Sequence, residues 1–278
     1  MSELNLVTSA GHPRLARVEQ VMGMPVVIEV CDVDVDDAVE QVYRWLRYVD
    51  ETFSTYDASS EISRLNRGEL ALADASPAVR CVLERCASLR GRTNGFFDVG
   101  APMAGSGVDP SGFVKGWSVL GGARLLERAG ARNFCIDAGG DIIVRGQAPQ
   151  RGPWRIGIAH PLLRGAIAAT VALSDAAIAT SGAYERGAHI VDPHTGAPAN
   201  GLLSVTVIGP DLPVADAFAT AAFAMGHDAP EWCAQQHGWE FMLITDAEEV
   251  LTTAGFERYR VREPAATERK LSDAESPG

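Results

Sequence analysis

The chain has 278 residues, 46% of them hydrophobic and 22% charged, which is typical of a globular protein and excludes a fibrous or wholly disordered one. Its 36 acidic residues outnumber its 24 basic ones, for a formal net charge of −12. This balance argues against nucleic acid as the main partner, because binding a phosphate backbone requires clustered Lys and Arg.

The two ends of the sequence indicate where the protein works and how far its fold extends. The first residues lack the basic and apolar regions of a signal peptide, and no segment has the roughly 18 apolar residues of a membrane-spanning helix. We therefore expect a cytoplasmic protein with no membrane segment. We also expect a flexible segment over residues 1–16, one folded domain over 17–262 and a disordered polar tail over 263–278.

The first half of the chain is predicted to contain both strands and helices. Residues 17–31 indicate a strand that a Gly-Met-Pro turn interrupts, and helical spacing of apolar residues predicts a helix over DDAVEQVYRWLRYVDETF. Two capped helices are predicted over SSEISRLNRG and SPAVRCVLERCASLRGRTNG, followed by a short extended piece, FFDVG. A further helix over FVKGWSVLGGARLLERAG precedes NFCIDAGGDIIVRG, which is predicted to be two strands joined by a Gly-Gly turn.

The second half is predicted to be mainly strands. The candidates are WRIGIAHP, AIAATVALS, AHIVDP, LLSVTVIGP, FMLIT and EVLTT, with helices around residue 216 and over PEWCAQQHG. Hairpins take the place of regular βαβ alternation. The order therefore predicts an α+β fold with mixed or antiparallel sheets and flanking helices, not a doubly wound parallel sheet.

The helix around residue 216, in VADAFATAAFAMG, carries Asp216 and Thr220 four residues apart. On a helix their oxygens project from one face and can converge on a cation. Alternatively, Asp216 is the N-cap of that helix and Thr220 bonds back to a backbone carbonyl. The pair alone favours the cap, so the choice depends on the rest of the chain.

Two other residues lie beside glycine-rich turns. Lys115 precedes Gly116 near a predicted helix start, and His189 precedes an Ile-Val pair. Taken alone, Lys115 is explained equally well as a solvated lysine. A lone histidine such as His189 is more often a hydrogen-bonded structural residue than a catalyst. The sequence has no Walker A loop, no GxGxxG after a strand, no HExxH, no paired CxxC and no nucleophile elbow. The chemistry therefore has to be inferred from the turns in combination.

Eight motifs occur in a fixed order along the chain. They are MG near the start, S-x-Y followed by SEISRLN, T-x-G-x-F-D, V-D-x-x-G-x-x-K-G, D-x-GG-D, T-S-G-x-Y, H-I-x-D-P-x-T-G and A-D-A-x-A-T-A. In this order, from about residue 20 to 255, they resemble the ApbE-type FAD:protein FMN transferase family. One departure is MGMP in place of the family's usual MGT.

The resemblance implies a fold and an activity. Members of the family have a T-fold-like architecture with an FAD cleft, and they use Mg²⁺ to transfer the FMN moiety of FAD to a threonine hydroxyl of an acceptor protein, releasing AMP. It also implies a Mg²⁺ site made by Asp216, Thr220 and the backbone carbonyl of Gly112, with His189 as the base. Mg²⁺ prefers six hard oxygens, so three protein ligands would leave room for a diphosphate.

The resemblance also assigns the FAD contacts. The matching positions are Met22, Tyr56, Phe96, Phe97, Asp98, Asp109, Lys115 and Ile190. Plain core packing is an equal explanation for Phe97. Two other functions share these residues: a Mg²⁺-dependent FAD pyrophosphatase, in which water replaces the threonine, and a non-catalytic FAD-binding protein.

Overall fold

The computed structural model describes residues 15–32, 35–100, 107–148, 152–182 and 190–262. Within these ranges, the strands in chain order are β1 (Leu15–Val21), β2 (Met24–Val30), β3 (Phe134–Ala138), β4 (Asp141–Arg145), β5 (Trp154–Ala159), β6 (Ile167–Leu173), β7 (Ala176–Gly182), β8 (Leu202–Gly209), β9 (Glu240–Thr245) and β10 (Val250–Thr252). Eight of them form one sheet in the order β1-β2-β3-β4-β7-β8-β9-β10, with every neighbouring pair antiparallel. β5 and β6 form a separate antiparallel hairpin.

The helices in the described ranges are α1 (Asp36–Phe53), α2 (Glu61–Asn66), α3 (Pro77–Arg92), α4 (Ser111–Arg128), α5 (Leu212–Met225) and α6 (Ala229–Ala234). Three of them begin at a polar cap. Ser60 and Ser76 accept from the amides of Ser63 and Val79, and Asp211 Oδ1 accepts from the amide of Val214 at 3.2 Å. Asp211 is therefore the N-cap of α5, and the interpretation of Asp216 as its cap is wrong.

The sheet has a hydrophobic core on each face. β4 shows the alternation: Ile143 packs with the helices, whereas Ile142 and Val144 pack with Trp154 and Val171 of the β5–β6 hairpin. A strand whose side chains alternate between two buried faces is apolar on both, which explains the continuous run IIV after Asp141. Helices thus cover one face and the hairpin covers part of the other. None of the helices in the described ranges combines the length and hydropathy that crossing a membrane requires.

The predicted α+β fold is confirmed, but four local predictions are wrong or incomplete. The first turn is Met22–Gly23 rather than Gly-Met-Pro, and FFDVG forms bends instead of an extended piece. β7 was not predicted. The described part of AHIVDP contains no strand, only an isolated bridge between Val191 and Pro198. Residues 1–14 and 263–278 lie outside the described ranges, so the expected flexible ends stay predictions.

Candidate functional site

The close contact between α4 and α5 creates the polar centre of the molecule. A Cβ at Gly116 would lie 2.9 Å from the backbone of Leu212 and Pro213, and a Cβ at Gly112 would lie 3.3 Å from Thr220 Oγ1. Gly112 and Gly116 occupy one face of α4, and Asp216 and Thr220 occupy one face of α5, because residues four apart share a helix face. Two glycines thus allow α4 to approach the two polar residues of α5.

The oxygens predicted to bind a metal lie at this contact. The Gly116 amide donates to Oδ2 of buried Asp216 at 3.3 Å. A helical carbonyl points along the helix toward the amide four residues later, so the Gly112 carbonyl belongs to the same turn of α4 as this amide. Thr220 Oγ1 lies 3.4 Å from Ser181 Oγ on β7, which adds a second hydroxyl. The structure therefore brings together Gly112, Asp216 and Thr220, the three ligands that the resemblance implies.

A buried ion pair lies next to these oxygens. Lys115 Nζ is 3.1 Å from Oδ2 of Asp141, the first residue of β4, and the Asp141 side chain is 1% exposed. Lys115, Asp216 and the backbone of Thr180 all act to lower the pKa of Asp141. A buried carboxylate needs such partners, and Lys115 is the one that carries the opposite charge.

Burial disfavours the charged forms of both Asp216 and Asp141. Burial, and then the neighbouring charge of Asp141, raise the pKa of Asp216 well above its usual range, while Lys115 opposes the rise. Burial likewise raises the pKa of Asp141, and Lys115 is the main influence against it. A cation bound beside Asp216 would favour its ionised form. The donor set therefore fits a hard divalent cation.

Neutral oxygens would have to complete such a site. The described ranges contain no group of three or more His, Cys, Asp or Glu residues that could hold a metal ion. A hydroxyl from Thr220 and the carbonyl of Gly112 would add to the single carboxylate of Asp216. Mg²⁺ usually binds few protein ligands, and water and phosphate oxygens fill its remaining positions.

Two cavities meet beside Lys115. The larger, of about 460 Å³, is lined by Lys115, Asp137, the Gly139–Gly140 turn and strand β5. The smaller, of about 90 Å³, is lined by Met22, Tyr56 and Ser111, and Lys115 and Met24 border both. The larger volume lies within the range of small-molecule and cofactor sites.

Two hairpin turns shape the mouths of these cavities. Met22 and Gly23 both have positive φ, and the Met22 amide donates to Asp50 Oδ2 of α1 at 3.1 Å. Gly139 also has positive φ, and a Cβ there would lie 3.0 Å from Met24 Sδ. Met24 is the residue that departs from the family's MGT. Its side chain therefore packs on the glycine turn between the two cavities.

The other predicted FAD contacts lie away from these two cavities. Phe97 is buried in the helix-side core, as the packing alternative predicts, and Phe96 makes an edge contact with the ring of His194. Asp98 pairs with Arg90 at 2.8 Å, and Asp109 Oδ1 accepts from the amide of Ser111 at 3.0 Å. Their role in binding FAD stays a prediction.

Of the two neighbouring site residues 189 and 190, the structure describes only Ile190. Ile190 is partly buried against the helix-side core, and its carbonyl accepts from the Ala199 amide at 3.0 Å. His189, the predicted base, lies outside the described residues. Its role as base also stays a prediction.

Sequence reasoning missed Asp141, Ser181 and Asp50. Asp141 was part of the D-x-GG-D motif, and an aspartate opening the wholly apolar run IIV is a signal for a buried carboxylate with a function. Ser181 was likewise part of the T-S-G-x-Y motif, whereas Asp50 offered no comparable signal. Their contacts depend on how distant elements pack.

The antiparallel sheet, the glycine-mediated helix contact and the oxygen cluster define an α+β protein with a buried polar centre between α4 and α5. The sequence model of the ApbE family matches residues 22–103 and 100–243, and the chain belongs to that family.

Named relatives agree with this assignment. The chain is 34% identical over 148 residues to the FAD:protein FMN transferase of Haemophilus influenzae, covering 49% of this chain and 43% of the relative. It is 34% identical over 162 residues to that of Vibrio cholerae, covering 55% and 47%. The aligned region thus spans less than half the length of these curated relatives.

Solved structures show the same fold. The flavin transferase ApbE from Vibrio cholerae superposes with a TM-score of 0.78 at 24% identity, over 90% of this chain and 100% of that one. The ApbE protein from Thermotoga maritima superposes with a TM-score of 0.80 at 21% identity, over 90% and 100%. Each similarity covers most of this chain.

Proposed function

We propose that the chain is a Mg²⁺-dependent transferase that moves the FMN moiety of FAD to a threonine hydroxyl of an acceptor protein and releases AMP. The observation that carries this proposal is the convergence of Gly112, Asp216 and Thr220 beside Lys115 and a cleft of about 460 Å³. Membership of the ApbE family and the names of the relatives support the same reaction.

In this proposal Asp216, Thr220 and the Gly112 carbonyl hold the metal. Mg²⁺, when bound, supplies charge neutralisation for the diphosphate of FAD. Asp141 holds the ammonium group of Lys115 at the border of both cavities. There the ammonium group stabilises the charge of the transferred phosphoryl group. An acidic protein thereby binds a diphosphate without an arginine cluster.

The transfer is a displacement at the phosphorus of the FMN moiety. The threonine oxygen forms a bond to that phosphorus, and the phosphoanhydride bond to the AMP moiety breaks, so that AMP leaves with the bridging oxygen. The hydroxyl proton passes to a base. His189 is proposed for this step because an imidazole titrates near neutral pH and the residue matches the family's H-I-x-D-P motif.

The test is to incubate the full chain with FAD, with Mg²⁺ or with EDTA, and with candidate acceptor proteins. We expect the acceptor to gain the mass of one FMN, with an equal amount of AMP, and both to disappear in EDTA. AMP and free FMN without a labelled acceptor would instead favour the pyrophosphatase. No AMP under any condition would leave an FAD-binding protein.

Two variants sharpen this test. Asp216→Asn is expected to lose metal-dependent turnover, whereas Asp246→Asn, an exposed aspartate in the turn before β10, is its matched control and is expected to retain it. His189→Ala is expected to slow transfer while FAD still binds, measured by quenching of flavin fluorescence. Unchanged turnover in His189→Ala would remove histidine from the mechanism.

A further inference from the structure

We propose that the tip of the β5–β6 hairpin docks the acceptor polypeptide during transfer, and this inference rests on the proposed function. The apolar tip consists of Leu162, Leu163 and Ile167. The tip forms part of the rim of the larger cavity. In this proposal it contacts the acceptor protein and not FAD.

The apolar tip is unusually exposed for its composition. Leu162, Leu163 and Ile167 are 54%, 59% and 56% exposed, and they account for three of the nine large hydrophobic residues exposed in the described ranges. All three lie within six residues of the chain, at the turn end of the β5–β6 hairpin. Clustered exposed apolar side chains are typical of an interaction site, whereas single ones are ordinary.

The turn that carries the apolar tip is well ordered by hydrogen bonds. His160 Nδ1 accepts from the amides of Leu162 and Leu163, each at 3.2 Å. The His160 amide donates to the Ala166 carbonyl at 2.9 Å, and the Ala166 amide donates to the Leu163 carbonyl at 3.0 Å. The leucines are therefore presented by a pre-organised turn, which lowers the entropic cost of binding a partner.

The apolar tip is continuous with the wall of the larger cavity. Residues 156–159 of β5 line that cavity, and Ala159 pairs directly with Ile167 across the hairpin. Gly157 also makes room for Ile167, because a Cβ at Gly157 would lie 2.8 Å from Ile167 Cδ1. A polypeptide that inserts a hydroxyl into the cavity over β5 would contact this rim. The acceptor is therefore the occupant that the reaction itself brings to the tip.

Charge indicates the chemistry of the acceptor segment. Residues 152–174 contain Arg155 and Arg164 but no Asp or Glu, although the chain has a net charge of −12. Both arginines are exposed. The hairpin is thus a locally basic, apolar surface. It is complementary to a segment that carries apolar side chains with carboxylates beside them.

The test uses an acceptor protein that the wild-type chain labels in the transfer assay. We expect Leu162→Ser combined with Leu163→Ser to raise the KM for that acceptor about tenfold, because apolar contacts at an interface centre are lost. The kcat at saturating acceptor and the Kd for FAD should stay at the wild-type values. Arg164→Glu should raise the same KM more at low salt than at high salt.

The matched control is Val250→Ser combined with Leu251→Ser on β10, whose side chains are 49% and 37% exposed on a strand three places from β7 in the sheet. This variant is expected to keep the wild-type KM.

An unchanged KM in the Leu162 and Leu163 variant would overturn the docking site while leaving the transferase intact. A change in oligomeric state on gel filtration would overturn it too, and would assign the tip to a contact between copies. If the wild-type chain released AMP but labelled no acceptor, the proposed function would itself have failed.

Discussion

The ion pair between Lys115 and Asp141 shows how single residues set the electrostatics of the site. Asp141 opens a strand that is buried on both faces, and its carboxylate is closest to the ammonium of Lys115, 3.1 Å away. Asp216 lies near enough for the charge of Asp141 to raise its pKa. Lys115 thus offsets two carboxylates as well as facing both cavities.

Removing Lys115 alone should therefore be costly. We expect Lys115→Met to lower the free energy of unfolding by about 3–5 kcal/mol, because a buried carboxylate is left without its counter-charge. The measurement is urea denaturation at pH 7. Lys115→Met combined with Asp141→Asn should regain most of this loss, and a double variant as unstable as the single one would contradict the pairing.

The sequence could predict residues whose signal is local. Helical spacing put Asp216 and Thr220 on one face, the family resemblance assigned them and Gly112 to a metal site, and the structure brings the three residues together. It could not predict Asp141 as the partner of Lys115, because the two residues lie on different elements. The pairing of buried charged side chains from different elements depends on tertiary packing, which no local sequence pattern encodes.

At the scale of elements, the crossing of α4 and α5 depends on glycine. The backbone of α5 lies so close to Gly116 that a methyl group added there would collide with it. The polar pair of α5 can reach the backbone of α4 only while this spacing is kept. The packing of the two helices and the proposed metal site therefore depend on the same contact.

Gly116→Ala is expected to separate the two helices. The added Cβ would lie 2.9 Å from Leu212 and Pro213 backbone atoms, which cannot rotate away, so a loss of about 1–3 kcal/mol is expected in urea denaturation. Mg²⁺ binding should weaken in the same variant. The control is Gly91→Ala in α3, where a Cβ meets nothing within 4 Å, and it should be neutral or slightly stabilising. Equal stability of the two variants would contradict this account of the contact.

Elements with a strong pattern were the predictable ones. The helix DDAVEQVYRWLRYVDETF has the bounds of α1, because its apolar residues recur at helical spacing. β7, Ala176–Gly182, was missed because AAIATSG consists mostly of small residues with little β propensity, and its TSG end reads as a loop. Its neighbours β4 and β8 hold it in the sheet.

At the scale of the whole molecule, burial of the carboxylates links stability to pH and metal. The pKa of Asp216 is raised in the folded state, so the folded chain retains a proton that the unfolded chain releases. The contribution of this group to the free energy of unfolding is therefore fully present below the unfolded pKa. It is lost as pH rises from about 4 through the folded pKa.

Asp216→Asn should reveal this linkage in thermal unfolding from pH 5 to 8. Without metal, we expect the Tm of the wild-type protein to fall relative to that of the Asn variant as pH rises, because only the wild type must ionise a buried acid. Mg²⁺ should raise the Tm of the wild type most at high pH and leave that of the variant unchanged. Equal stabilisation of both proteins by Mg²⁺ would remove Asp216 from the metal site.

The contact between Gly116 and Asp216 joins positions that are 100 residues apart in the chain. A ribosome synthesises the α4 side of the site long before the α5 side, and β3 through β8 must be made in between. The oxygen cluster cannot exist on a partly synthesised chain. The proposed cleavage of FAD therefore begins only after nearly the whole domain has left the ribosome, so incomplete chains cannot consume the flavin pool.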